Sequence, residues 1–340
     1  MDFMDALVCV QPGELTLKQR PKAIRAEGEV LVRPRRVGIC GTDYHIYGGN
    51  QPFLSYPRVM GHELAVEAVE APADSGITVG QIYVVNPYIS CGTCIACRKG
   101  KPNCCTRIAV LGVHRDGGMT GLLSLPARNL VPAEGLSVDE CAMVEFLAIG
   151  AHASRRGAVT AADRALIIGA GPIGLGTALF ASLSGANVTL LDRDQSRLDA
   201  AKELFRVDHT ILAGDETADA VRRITDDEGF DIVFDATGSR ESIESGFGFI
   251  ANGGRYVLVS IVKGDITFTD ADFHRKELSL FGSRNALAED FQHVIAAIRA
   301  GHVPSSKWIT HRTTLAGAAA DLPRWARDKT GLIKAVIEID

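Results

Sequence analysis

The stretch ALIIGAGPIGLGTALFASLSGANVTLLD, residues 165–192, decides the architecture of the second half of the chain. It opens as an apolar strand that runs out into glycines, continues as the helix-like PIGLGTALFASLSG, and closes on a second strand, NVTLLD. Gly169, Gly171 and Gly174 fit GxGxxG at the strand-to-helix junction, with Pro172 and Ile173 between the last two. Gly169 permits a tight turn, Gly171 lets the backbone approach a pyrophosphate, and Gly174 lets helix and strand pack closely. The free N–H groups and positive dipole end of the helix then face the phosphates. Asp192 ends the second strand, where a carboxylate hydrogen-bonds the adenosine ribose hydroxyls and repels a 2′-phosphate, so NAD is expected over NADP. Arg193 is the opposing signal, since it could reach a 2′-phosphate, although it also reads as a solvated residue of the DRDQSR turn. Arg197, one turn into the next helix, is placed to flank the adenosine, and Thr237 in DATG completes the cofactor candidates.

Downstream, SRLDAAKELF is helical, DIVFDATG a strand, ESIESGFGFI a helix and RYVLVS a further strand. Strands alternating with helices predict a doubly wound parallel sheet of the α/β class over residues 151–286. Upstream the texture differs. EVLVRPRRVGI, LAVEAVEA and QIYVVNPY are short β-type runs separated by Gly- and Pro-rich turns, which predicts a mostly β domain over residues 1–150. From residue 287 the alternation loosens, and the closing KAVIEID reads as a strand returning to the first domain, so 287–340 is assigned there. Two domains also suit a chain of 340 residues, which is long for a single core.

Composition excludes several classes of function. Hydrophobic residues at 46% and charged residues at 23% are ordinary for a globular protein. A net charge of −5 without any basic run gives no reason to expect nucleic acid as a partner. No apolar stretch reaches the roughly 18 residues of a membrane span. The opening MDFMDALVCV is acidic where a secretory signal would be basic, so a cytoplasmic location is expected.

Four of the eight cysteines, Cys91, Cys94, Cys97 and Cys105, crowd into one segment with CxxCxxC spacing. A disulfide framework would spread its pairs, whereas four thiolates in one loop suit a closed, structural zinc site. That lobe, about residues 88–108, has little apolar material of its own to hold it. Cys40 in VGICGTDYH, with His62 and Glu63 in VMGHELAVE, offers a thiolate, an imidazole and a carboxylate. A mixed set of three donors leaves a coordination position open, the mark of a catalytic zinc. Singly, Cys40 also reads as a buried small hydrophobe and His62 as a satisfied histidine.

GICGTDYH, GHE, the cysteine lobe and GAGPIG, in that order over nearly the full length, resemble the zinc-containing medium-chain dehydrogenase/reductase family. The resemblance implies a GroES-like catalytic domain, a Rossmann domain, two zinc ions per chain and NAD. It also selects Cys105 rather than its neighbour Cys104 as the fourth lobe ligand. Glu145 in MVEFLAIGAHA, and the lack of a second catalytic-site cysteine, resemble the polyol dehydrogenase branch. There a glutamate either ligates zinc or holds its water. Phe146 stands where that branch usually has proline, which leaves open whether Glu63 or Glu145 is the direct ligand, or whether the two exchange. YGGNQPFLSYPRVMGHE, NCC, VLGVHRDGG and FHRKELSLFGSRNA are more narrowly similar to bacterial dehydrogenases that act at C5 of L-galactonate and L-gulonate.

The family pattern implies a hydride taken from a secondary alcohol by nicotinamide, with Thr42 accepting the hydroxyl proton and His45 carrying it outward. The alternative for His45 is a turn histidine. A sugar acid needs a cationic partner, and Arg284 in GSRNA resembles the arginine of the polyol branch's substrate cleft, its planar fork suiting a carboxylate. Asn285 is a candidate for the hydroxyls, and His114 in GVHRDGG for the substrate or for loop packing. The expected substrate is thus a small sugar acid or polyol. The rival activities are sugar alcohol (sorbitol-type) and L-threonine oxidation. A non-catalytic dinucleotide-binding protein is the remaining alternative. Relatives pair through an edge of the cofactor-domain sheet, which implies a homodimer or homotetramer.

Overall fold

The glycine-rich stretch folds as the first two strands and first helix of a six-stranded parallel sheet. Arg164–Ile168 lies at its centre; Asn187–Asp192 and then His209–Leu212 flank it on one side. Phe230–Asp235, Ile250–Leu258 and Ser279–Gly282 extend it on the other. The spatial order in chain numbering is third, second, first, fourth, fifth, sixth, with the direction of winding reversing beside the first strand. At such a switch point the carboxyl ends of the strands diverge and leave a crevice for a ligand. The central strands are buried on both faces, which is why ALII, VTLLD and IVFD read as unbroken apolar runs.

The computed structural model describes residues 2–51 and 54–340, and these divide into two compact units: Met1–Glu145 with Leu287–Asp340, and Phe146–Ala286. The boundary falls inside the helix Val138–Arg156.

Unit one is built around Glu29–Ile39, an eleven-residue strand. It runs past Pro34 by shifting register between Pro34 and Arg36, since proline has no N–H for the ladder. It pairs antiparallel with Glu63–Glu70 on one side and with Lys334–Glu338 on the other, so the last strand of the chain is set into the middle of the first unit's sheet. Leu7, Val32, Val37, Leu64, Val66 and Ile337 belong to its buried apolar core.

One element differs from its sequence reading, and two strands lay outside that reading. ESIESGFGFI is helical only over Arg240–Gly246; a 3-10 turn follows at Phe247–Phe249, and Ile250 already begins a strand. The Tyr256 hydroxyl donates to the Ile243 carbonyl at 3.0 Å, and the Phe247 ring stands edge-on to Tyr256 at 4.9 Å. Phe247 and Phe249 are half-buried, and Phe247 packs on the following strand through this ring contact. HTIL and SLFG, both edge strands half open to solvent, lack the apolar continuity that marks the central strands. No helix among the described residues is long and apolar enough to cross a membrane.

Candidate metal and cofactor sites

Cys40 follows the long strand directly and caps the helix Gly41–Tyr47, while Glu63 begins the neighbouring strand. The register sets Gly38 opposite Glu63, which brings the two segments together at one end of the sheet. Between them Gly61, at φ +95°, turns the chain into His62; a Cβ there would stand 2.8 Å from Val37 Cγ1. Cys40 Sγ, a His62 ring nitrogen and a Glu63 carboxylate oxygen lie within 4.8 Å of one another.

Asp43 holds this arrangement. Wholly buried, it accepts the Cys40 N–H at 2.9 Å and the Gly61 N–H at 3.3 Å, tying one donor to the residue before the other. His62 Nδ1 and Glu63 Oε1 have no hydrogen-bond partner among the described residues. An orphaned buried polar atom costs about 1–3 kcal/mol, so both atoms call for a ligand. Burial alone would lower the His62 imidazole, yet Cys40, Asp43 and Glu145 outweigh it and raise it well above its ordinary value. The soft-to-borderline donors of this group suit zinc.

Glu145 is not one of the three clustered donors. Its Oε1 accepts the Tyr88 hydroxyl, and burial pushes its carboxyl up to about 7 against the lowering effect of His62. Glu63 forms an ion pair with Lys334, also wholly buried. Asp43, Tyr88 and Lys334 were not singled out by the sequence reading. Asp43 stood inside GTDYH, and Lys334 is the cation at the head of an otherwise apolar run, a signal that the strand pattern concealed.

Thr42 is half-buried in the first turn after Cys40, and His45 is exposed in the last turn of the same short helix. His114 is exposed, and its Nδ1 accepts the Val110 N–H at 3.1 Å, so one ring nitrogen closes its own loop.

The lobe cysteines form a second donor group: the Sγ atoms of Cys91, Cys94, Cys97 and Cys105 lie within 4.8 Å of one another, while Cys104 is exposed outside it. Main-chain N–H groups point at the sulfurs, those of Cys91 and Arg107 both reaching Cys105 Sγ at 3.3 Å. The Thr93 N–H and the Arg107 guanidinium lower Cys91 to about 5, favouring the thiolate that a metal needs.

In unit two, the glycine loop takes the form its residues anticipate. Gly169 has φ +103°, a Cβ on Gly171 would point into open space, and one on Gly174 would strike the Gly169 carbonyl. Asp192 accepts the Ala170 N–H at 2.6 Å and the Asp194 N–H at 2.9 Å, binding the loop to the next strand end. Pro172 and Ile173 open the helix Pro172–Leu183. Arg193 is exposed, and Arg197 lies 3.8 Å from Asp194. Thr237 donates to the buried Asp235, which also receives Ser242 and Ser260 hydroxyls, a polar knot at the strand end. Arg284, exposed, and Asn285, at φ +53°, follow the edge strand Ser279–Gly282 on the same carboxyl-end rim as Asp192 and Thr237.

Comparison with known proteins agrees with both units. Residues 26–135 match the alcohol dehydrogenase GroES-like domain, and residues 172–300 match the zinc-binding dehydrogenase family. The chain is 39% identical to L-galactonate-5-dehydrogenase of Escherichia coli K12, over 99% of each protein. It is 33% identical to 2-dehydro-3-deoxy-L-galactonate 5-dehydrogenase of Pseudoalteromonas atlantica, over 92% of each. A solved structure of the E. coli CFT073 alcohol dehydrogenase rspB, in complex with NADH, superposes with a TM-score of 0.92 at 30% identity and covers 100% of both chains. The chain belongs to the zinc-type alcohol dehydrogenase family, oxidoreductases that act on CH–OH groups.

Proposed function

We propose that this dehydrogenase oxidises the C5 hydroxyl of an L-hexonate, such as L-galactonate or L-gulonate, with NAD as acceptor. The observation that carries the reading is the grouping of half-buried Cys40 with buried His62 and Glu63, in a chain 39% identical to an L-galactonate-5-dehydrogenase. Zinc, when bound, supplies Lewis-acid polarisation of the substrate hydroxyl, and NAD, when bound, takes the hydride. Cys40, His62 and Glu63 are the proposed ligands of that zinc, and the four lobe cysteines hold a second, structural one. Asp43 keeps the two segments of the donor group in register. Thr42 takes the hydroxyl proton, and the exposed His45 passes it to solvent, an imidazole being able to bind and release protons near neutral pH. Gly169, Gly171 and the N-terminus of Pro172–Leu183 receive the pyrophosphate, Asp192 the adenosine ribose.

Arg284 is the proposed partner of the substrate carboxylate, with Asn285 for hydroxyls. His114 serves its loop and is a weaker contact. A homodimer or homotetramer, in the cytoplasm, completes the proposal; the open edge strand Ser279–Gly282, with Leu280 39% exposed, supports pairing, and size-exclusion with light scattering measures it.

NAD reduction measured across hexonates, polyols and L-threonine tests the substrate. A kcat/KM for L-galactonate or L-gulonate at least tenfold above sorbitol and threonine is expected. Arg284→Ala lowers it by roughly one to three orders of magnitude, the range for a lost charged hydrogen bond. Equal rates on sorbitol and galactonate would overturn the sugar-acid reading.

A further inference from the structure

Glu63 reaches over a strand to find its partner. Glu29–Ile39 lies between Glu63–Glu70 and Lys334–Glu338, with Gly38 opposite Glu63 on one side and opposite Val336 on the other. The Glu63 carboxylate nevertheless meets Lys334 Nζ through Oε2. Gly38 makes the crossing possible: a Cβ there would collide with Oε2 and stand 2.9 Å from Glu63 Cβ. The Lys334 ammonium also donates to the Ile39 carbonyl at 3.2 Å, the residue before Cys40. Side-chain exposure is 1% for Lys334 and 0% for Glu63, so neither charge is satisfied by water. A buried ion pair contributes little over a well-packed apolar pair of the same volume, so stability does not account for it.

Its geometry does suggest a reason. Oε2 of Glu63 faces the ammonium, neither carboxylate oxygen has a hydrogen bond among the described residues, and a carboxylate oxygen lies within 4.8 Å of Cys40 Sγ and a His62 nitrogen. We propose that Lys334 is a positioning residue that restricts Glu63 to a single oxygen toward the metal. A carboxylate binding through both oxygens would fill the coordination position that a catalytic zinc keeps open for substrate. Lys334 withholds the second oxygen, and its bond to Ile39 ties that restraint to the segment carrying Cys40. This inference rests on Cys40, His62 and Glu63 being the metal donors.

The test uses the full-length holoenzyme and its cobalt(II)-exchanged form. Visible d–d bands of cobalt(II) are intense in four-coordination and weaken when a ligand is added. In Lys334→Met the bands weaken, loss of the metal to a chelator slows at least threefold, and kcat falls about 10–100-fold with a smaller change in KM. Lys334→Arg restores parent-like bands. Gly38→Ala, which displaces Glu63 while leaving both charges in place, also alters them. Parent-like bands and chelator kinetics in Lys334→Met overturn the inference, as does an equal effect of Lys334→Met when Glu63→Gln is already present. If Lys334→Met does not fold, Gly38→Ala decides, and parent-like bands there overturn it. A parent enzyme without metal at Cys40 would remove the underlying site, whereas bound metal with unmoved bands removes this inference alone.

Discussion

The Tyr88 hydroxyl donates to Oε1 of Glu145, and both side chains are buried. Glu145 thus has its own partner within unit one and stands apart from the three donors that cluster around Cys40. Metal retention separates the two carboxylates. Metal analysis is expected to find two zinc ions per chain in the parent and in Glu145→Gln, whose amide oxygen still accepts from Tyr88. Cys40→Ala and His62→Ala keep one. A Glu145→Gln enzyme with a single zinc would make Glu145 an indispensable ligand.

The lobe lacks a core and depends on its four sulfurs. Cys91→Ser removes one thiolate from a closed set, and a structural zinc contributes folding energy directly. One zinc per chain is lost, Tm drops by at least about 4 °C, and the Cys40 site stays loaded. An unchanged Tm in differential scanning calorimetry would show that the lobe does not need its metal.

Asp192 has two tasks that one substitution reveals together. Its carboxylate already receives the Ala170 and Asp194 N–H groups, so Asp192→Ala loosens the glycine loop and removes the charge proposed to exclude a 2′-phosphate. The kcat/KM ratio of NAD to NADP narrows by about 10–100-fold, the value of one to two charged hydrogen bonds. A ratio that does not move would assign cofactor choice elsewhere, with Arg193 the next residue to examine.

Asp139 gives an acid limit to stability. The Arg312 guanidinium, at 2.6 Å, and then Arg36, at 2.9 Å, hold its carboxyl below the usual carboxylate range, against the opposing effect of burial. With the folded value below the unfolded one, its stabilisation is fully present above about pH 5 and fades as pH falls through the folded value. Asp139→Asn should lower stability near pH 7 by about 0.5–1 kcal/mol, since the pair is partly screened by solvent. Urea midpoints of variant and parent should converge as pH falls through the lowered folded value of Asp139. A gap that is constant with pH would mean that packing, not charge, is lost.

Residues 165–192 show how far local pattern reaches. A turn tight enough for GxGxxG, an apolar strand and an amphipathic-to-buried helix are neighbours in the chain, so their chemistry is readable without the rest. Gly169, Gly174 and Asp192 were legible for that reason. The lobe was legible too, because its four ligands share one loop and thiolates at such spacing have few other uses. Boundaries were less so. Gly246 ends a helix that the sequence reading carried through Ile250, and the contact of Phe247 with Tyr256 on the following strand is invisible to local pattern.

What the sequence by itself determined is the two-part plan, the glycine turn at the head of the parallel sheet and the two groups of candidate donors, since each is carried by residues close in the chain. Only the tertiary structure decided which partner each buried carboxylate takes. Glu63 meets Lys334 from the far end of the chain, and Glu145, on the helix Val138–Arg156, meets Tyr88 of the short strand Tyr88–Ile89. Strand register sets the first of these encounters. Pairing brings together segments hundreds of residues apart, and a missing side chain at Gly38 leaves the space through which one of them reaches.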